Sequence, residues 1–118
     1  MFERIHTEAG RVLLHLRGAL DAAGSCELRE SLACLAVIDA REVVIDFSAV
    51  AFIDGSGVGA ISYLFKRLEA RGRRLTLCGV SGQPLAVFRR LGLARPLGID
   101  TKAGSRSLRA LASFAWAR

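Results

Sequence analysis

The sequence predicts an α/β protein, a single domain over residues 1–118 with a small mixed, mostly parallel β-sheet and about four packed helices. Three observations point there. Short apolar runs of strand length alternate with longer stretches whose apolar residues recur at helical spacing, the pattern that builds parallel sheets. Glycines fall at the junctions between these runs, where chains turn. The 118 residues, 52% hydrophobic, suffice for one core and are unlike a disordered chain.

The elements follow in order. "FERIHTE" is a strand that pairs with "RVLLHLR" (11–17) across a turn at Ala9-Gly10, and Gly18 ends the second run. Residues 22–37 form a helix, with Leu28, Leu32 and Leu35 at helical spacing and Glu27, Arg29 and Glu30 opposite. Asp21 stands before it, where a carboxylate caps free N–H groups. "EVVIDF" (42–47) is mostly apolar, as in a central strand covered on both faces. A helix over 56–71 follows, with Val58, Ile61, Leu64, Phe65 and Leu68 on one stripe and Lys66, Arg67 and Glu69 facing away. Gly72 stops it. "RLTLCGV" (74–80) is the next strand. "SGQP" opens another helix with Pro84 in its first turn, where the missing N–H costs nothing, and Gly92 ends it. "LGI" (97–99) is predicted as a last short strand. Residues 105–117 are predicted as a terminal helix with Leu108, Leu111, Ala112 and Ala115 inward.

Composition excludes several functions. The longest apolar run, "LACLAVI", falls far short of the roughly 18 residues a membrane span needs, so no membrane insertion is expected. "MFERIHTEAGR" lacks the apolar segment of a secretory signal, so the expected location is cytoplasmic. Cys26, Cys34 and Cys78 contain no C-x-x-C pair and are odd in number. They are expected to be buried small hydrophobes. His6 and His15 have no cysteine at ligand spacing, so neither a metal site nor a cofactor is expected. The net charge of +6 raises nucleic-acid binding. Yet the arginines are spread along the chain, densest in "KRLEARGRR" (66–74) and "FRR" (88–90), and with one Trp and one Tyr there is no basic-aromatic interleaving of the single-strand-binding kind. The reading is no nucleic acid, but a solvated basic face suited to an acidic protein partner.

The stretch "AFIDGSGVGAISYLF" (51–65) carries the functional question, because it follows a strand and opens a helix, where parallel sheets place their functional loops. "GSGVGA" matches a dinucleotide fingerprint, G-x-G-x-x-A. That fingerprint needs an acid about 20 residues on, and "RRLTLCGVSG" has none. Asp54 would also compete with a phosphate at the helix start. A hydrolase elbow is poorly supported: Asp54 stands where its first Gly belongs, and both histidines precede Ser56. On chemistry alone, Asp54 and Ser56 read as helix caps. Gly55, Gly57 and Gly59 read as backbone devices that give room for positive φ and close packing.

Three blocks, "LRGALDAAGSCELRESL", "REVVIDFSAVAFIDGSGVGAISYLFKRLEARGRRLTLCGV" and "VFRRLGLARPLGI", together resemble the STAS domain family, which includes bacterial anti-sigma factor antagonists. The resemblance covers about residues 10–100. It rests on G-x-L-D before the first helix, Asp46-Phe-Ser-x-Val, Phe-Ile-Asp at 52–54 and Gly-Leu at 92–93. It implies a non-enzymatic regulator whose partner is a histidine-kinase-like serine kinase that is also the anti-sigma factor. The partner-binding residues it implies are Asp21, Asp54, Gly55, Ser56, Gly57 and Val58, with helix 56–71. In phosphorylated members the loop reads D-S-S-G or D-S-T-G, and the hydroxyl directly after the Asp accepts the phosphate. Here that position is Gly55, which cannot be phosphorylated, and Ser56 matches the second hydroxyl. The candidate phosphorylation site is therefore Ser56, or the domain is not switched by phosphate. Two alternatives stay open: a STAS subunit of a lipid-transport ABC system that binds its ATPase, and a module binding a small ligand or nucleotide. A homodimer is compatible with the sequence.

Overall fold

The computed structural model describes residues 2–8, 10–37 and 40–99. The order is β1 (Phe2–Glu8), β2 (Arg11–Leu20), α1 (Ala22–Val37), β3 (Glu42–Ile53), α2 (Gly55–Glu69), β4 (Arg74–Cys78) and α3 (Gly82–Arg90). The sheet runs β1-β2-β3-β4. β1 and β2 form an antiparallel hairpin that turns at Gly10, whose φ of 78° suits a residue without Cβ. β2 with β3, and β3 with β4, are parallel. Two strands run past their predicted ends. β2 continues beyond Gly18 to Leu20 through register shifts at His15/Arg17 and Gly18/Ala19, so that glycine sits at an irregularity rather than a terminus. β3 continues beyond Phe47 to Ile53, burying Val50 and Ile53 while Ser48, Ala49, Ala51 and Phe52 lie exposed.

α1 packs on β2 and on α2, and α2 packs on β3 and β4. The stripes predicted from periodicity face inward. Leu28, Leu32 and Leu35 of α1 and Ile61, Leu64 and Leu68 of α2 are buried, and Val58 and Phe65 pack half-buried against the same core. Burying each such leucine is worth about 1.5–3 kcal/mol. α3 is fixed on β3 by Phe88, which meets Phe47 edge-on with ring centroids 5.9 Å apart. Alternation along the strands sends Leu13, Val44 and Cys78 to the other face of the sheet, where they form a second cluster. On that face His15 Nδ1 lies 2.6 Å from Asp46 Oδ2, and the Ser48 N–H donates to Asp46 Oδ1.

Two expectations are corrected. Residues 97–99 are not a strand. They belong to a run of turns, with Gly98 at φ 71° and Ile99 N–H donating to Ala94 O; a lone bond from Leu77 N–H to Leu97 O is not a ladder. Cys26 and Cys34 are exposed, and only Cys78 is buried. Cys26 stands two positions before Leu28 and Cys34 falls between Leu32 and Leu35, off the stripe, so the helical period turns both outward. The buried Cys78 thiol is pushed up from its ordinary 9.0 to about 12, by desolvation first and by the Asp46 carboxylate second. The terminal helix predicted over 105–117 lies outside the described residues. Among those residues three helices are present, and none is long and apolar enough to cross a membrane.

Candidate functional site

Because β2 and β3 are parallel neighbours, their carboxyl ends share one edge of the sheet, and Leu20 pairs with Ile53 there. Each strand is followed at once by an aspartate and a helix. Asp21 Oδ1 accepts the Gly24 N–H at 2.9 Å. Asp54 Oδ1 accepts the Ser56 and Gly57 N–H groups at 2.9 and 3.2 Å. Both caps fall where the sequence places them. The hydroxyl of Ser56 does not cap α2; Asp54 does, and Ser56 is exposed. The α2 N–H groups that a phosphate would need are therefore already taken by a carboxylate, and the phosphate-cradle reading loses its basis.

The glycines divide sharply. None of Gly55, Gly57 and Gly59 has positive φ, contrary to that expectation, because all three lie within α2. Gly57 is buried, and a Cβ there would lie 2.2 Å from Leu20 O. Gly24, three residues after Asp21 as Gly57 is after Asp54, meets Ala19 O at 2.3 Å in the same way. Asp-x-x-Gly thus occurs twice, at 21–24 and 54–57, and seats both helix starts against the end of β2. Sequence reading missed Gly24, although that repeat was its signal. Gly55 and Gly59 have no heavy atom within 4 Å of an added Cβ. They leave the start of α2 bare.

A further positioning residue is Gln83 of α3. Its Nε2 donates to Ile53 O at 2.8 Å and its Oε1 accepts the Ile53 N–H at 2.9 Å. The side-chain amide stands in for a neighbouring strand where β4 no longer reaches, since β3–β4 pairing ends at Asp46 and Cys78. Nothing local marks Gln83 in sequence. With this clamp, the Asp54 cap and the Gly57 contact, the loop is held from three sides while Gly55, Ser56 and Gly59 stay exposed. Phe52 before the loop is 43% exposed. Tyr63, two turns into α2, is 49% exposed with the Arg67 guanidinium 5.7 Å from its ring centroid. The site residues expected from sequence, Asp21, Asp54, Gly55, Ser56, Gly57 and Val58, thus gather at one edge, with Gly57 buried and Val58 turned partly to the core.

This geometry, two capped helices rising from adjacent parallel strand ends, is that of a family. The chain belongs to the STAS domain family, whose model matches residues 4–105. The anti-sigma-B factor antagonist of Listeria monocytogenes is 28% identical to it over 91 residues, covering 77% of this chain and 80% of that protein. The phosphorylated form of SpoIIAA, a Bacillus cell fate determinant, superposes with a TM-score of 0.67 at 24% identity, over 80% of this chain and 87% of that one. A sulfate transporter family protein from Wolinella succinogenes gives a TM-score of 0.68 at 21% identity, over 92% and 93%. The two structural likenesses speak to the fold alone.

Proposed function

We propose that this protein is a non-enzymatic STAS regulator of the anti-sigma factor antagonist kind, acting in the cytoplasm. It docks a serine kinase or anti-sigma partner through the loop 54–59, the exposed face of α2 and the Asp21 edge. One observation carries the reading: the loop is exposed yet clamped, so a partner meets a preformed surface and has little ordering to offset. Gly55 in the acceptor position supports docking that phosphate does not switch.

The test is a charge placed at Ser56. Ser56→Glu adds a carboxylate to the first turn of α2, where the dipole favours anions by about 0.3–1 kcal/mol, so the fold should keep its melting temperature. At a desolvated interface the same unpaired charge should weaken docking on the order of a hundredfold. Titration of wild type and variant against the purified partner kinase measures this. Equal affinity would put the loop outside the interface and overturn the assignment.

A further inference from the structure

Between α1 and α2, on the side away from the sheet, lies a groove of about 810 Å³. Its walls are mostly small residues, Ala22, Cys26 and Ala33 from α1 and Ser56 and Ala60 from α2, which recess the surface between the helices. Leu32, 3% exposed, and half-exposed Tyr63 supply its larger apolar surfaces. The volume falls within the roughly 300–1,000 Å³ of small-molecule sites, which pair an apolar lining with a few polar groups.

Two polar groups here point to what the groove takes. Arg29 is the one charged residue of the lining, and no acid accompanies it. Ser25, also in the lining, has a buried hydroxyl without any hydrogen-bond partner among the described residues. A buried hydroxyl left unpaired costs free energy, and a ligand oxygen would relieve that cost. Ser25 and Arg29 are four residues apart on α1, so they lie on one face, one turn from each other. A hydroxyl donor beside a guanidinium matches an anionic head group with acceptor oxygens. Leu32 and Ala33, the next turn along, continue the surface in apolar form.

We propose that this groove binds a small anionic amphiphile, its head at Ser25 and Arg29 and its apolar chain along Leu32, Ala33, Ala60 and Tyr63. From Ala22 to Ala33 the wall is about 16 Å long, at ~1.5 Å per helical residue, which suits a chain of medium length. The groove shares Ser56, Ala60 and Tyr63 with the proposed docking face of α2, but its test needs no partner protein.

The cysteines supply the test. Cys26 lines the groove, Cys34 is also exposed on the same helix but outside the lining, and Cys78 is buried. The full chain is treated with iodoacetamide, and each cysteine is followed by mass spectrometry. The probe is dodecyl phosphate below its micelle concentration; dodecyltrimethylammonium is the cationic control. Dodecyl phosphate should slow Cys26 alkylation several-fold and leave Cys34 unchanged, and the cation should protect neither. Ser25→Ala should weaken the protection about tenfold. Arg29→Gln should erase the preference for the anion. Among the described residues neither variant removes a hydrogen bond or a core side chain, so Arg29→Gln should melt as wild type does and Ser25→Ala at or slightly above it. Equal protection by anion and cation, no protection at all, or full protection in both variants would overturn the proposal. Protection by phosphatidylglycerol vesicles without protection by the monomeric probe would overturn it in favour of a membrane surface.

Discussion

One added methyl group at residue 57 tests how the loop 54–59 is held. An ideal Cβ there would lie 2.2 Å from Leu20 O, 2.7 Å from Ile53 Cγ1 and 2.9 Å from Leu20 Cγ. Ordinary contact begins near 3.4 Å, so α2 and the end of β2 must part by on the order of an ångström. The first obstacle is a backbone carbonyl, which has no rotamer to change. Overpacking of this kind costs about 1–3 kcal/mol, and more where the neighbour cannot yield. The helix preference for Ala over Gly offsets at most about 1 kcal/mol. Gly57→Ala should therefore lose roughly 2 kcal/mol, or about 10 °C in Tm for a domain of this size. The control is Gly55→Ala, two residues away in the same turn, where nothing lies within 4 Å. It should be neutral or stabilising by up to about 1 kcal/mol. Urea titration and thermal melts of both variants, read by circular dichroism, measure the difference. If the two variants melt together, the close approach of α2 to Leu20 is wrong, and with it the account of a clamped loop.

Further outcomes follow from the same geometry. Asp54→Ala should cost about 0.5–2 kcal/mol in chemical denaturation because it removes the α2 cap, whereas Ser56→Ala should stay within about 0.5 kcal/mol. Alkylation at pH 8 should label Cys26 and Cys34 readily and Cys78 only on unfolding, as peptide mapping would read out. With its folded pKa near 12 against an ordinary 9.0, Cys78 keeps its proton where the unfolded chain loses it. Stability should therefore fall as pH rises from 9 towards 12, and Cys78→Ala should flatten part of that slope. Incubation with the cognate kinase and ATP should leave the wild type almost free of phosphate by intact-mass analysis. Gly55→Ser, which meets no steric obstacle, should gain an acceptor.

Legibility in sequence followed the range of the interaction. The leucine stripe of α1 and the Ile61, Leu64 and Leu68 stripe of α2 were readable because helical period is local. The Asp21 and Asp54 caps were readable for the same reason, being bonds across two or three residues. β3 was cut short at Phe47 because Ser48-Ala49 and Ala51-Phe52 break the alternation, and only pairing with β2 carries the strand onward. The short run at 97–99 has strand-like composition, yet Gly98 adopts positive φ within a run of turns. Gln83 was beyond local reading, since it acts on Ile53, 30 positions away, whereas Gly57 was read as a close-packing glycine and only its remote neighbour Leu20 was out of reach. Cys26 and Cys34 were misjudged from residue type, although their offset from the leucine stripe already turned them to the surface.

The Gln83 clamp also sets a timetable. The β1–β2 hairpin closes through neighbouring residues, but His15 and Asp46, in register on β2 and β3, are 31 positions apart. The bond from Gln83 to Ile53 spans another 30. Pairings at such separations are closed late, after the entropy of each intervening loop is lost. During synthesis the order is stricter, because Ile53 and Asp54 leave the ribosome before the residue that fastens them. A chain that has not yet delivered α3 carries every residue of the loop 54–59 and lacks the tie that holds its strand in place. If this edge docks a partner as proposed, its surface is finished only once α3 has been delivered.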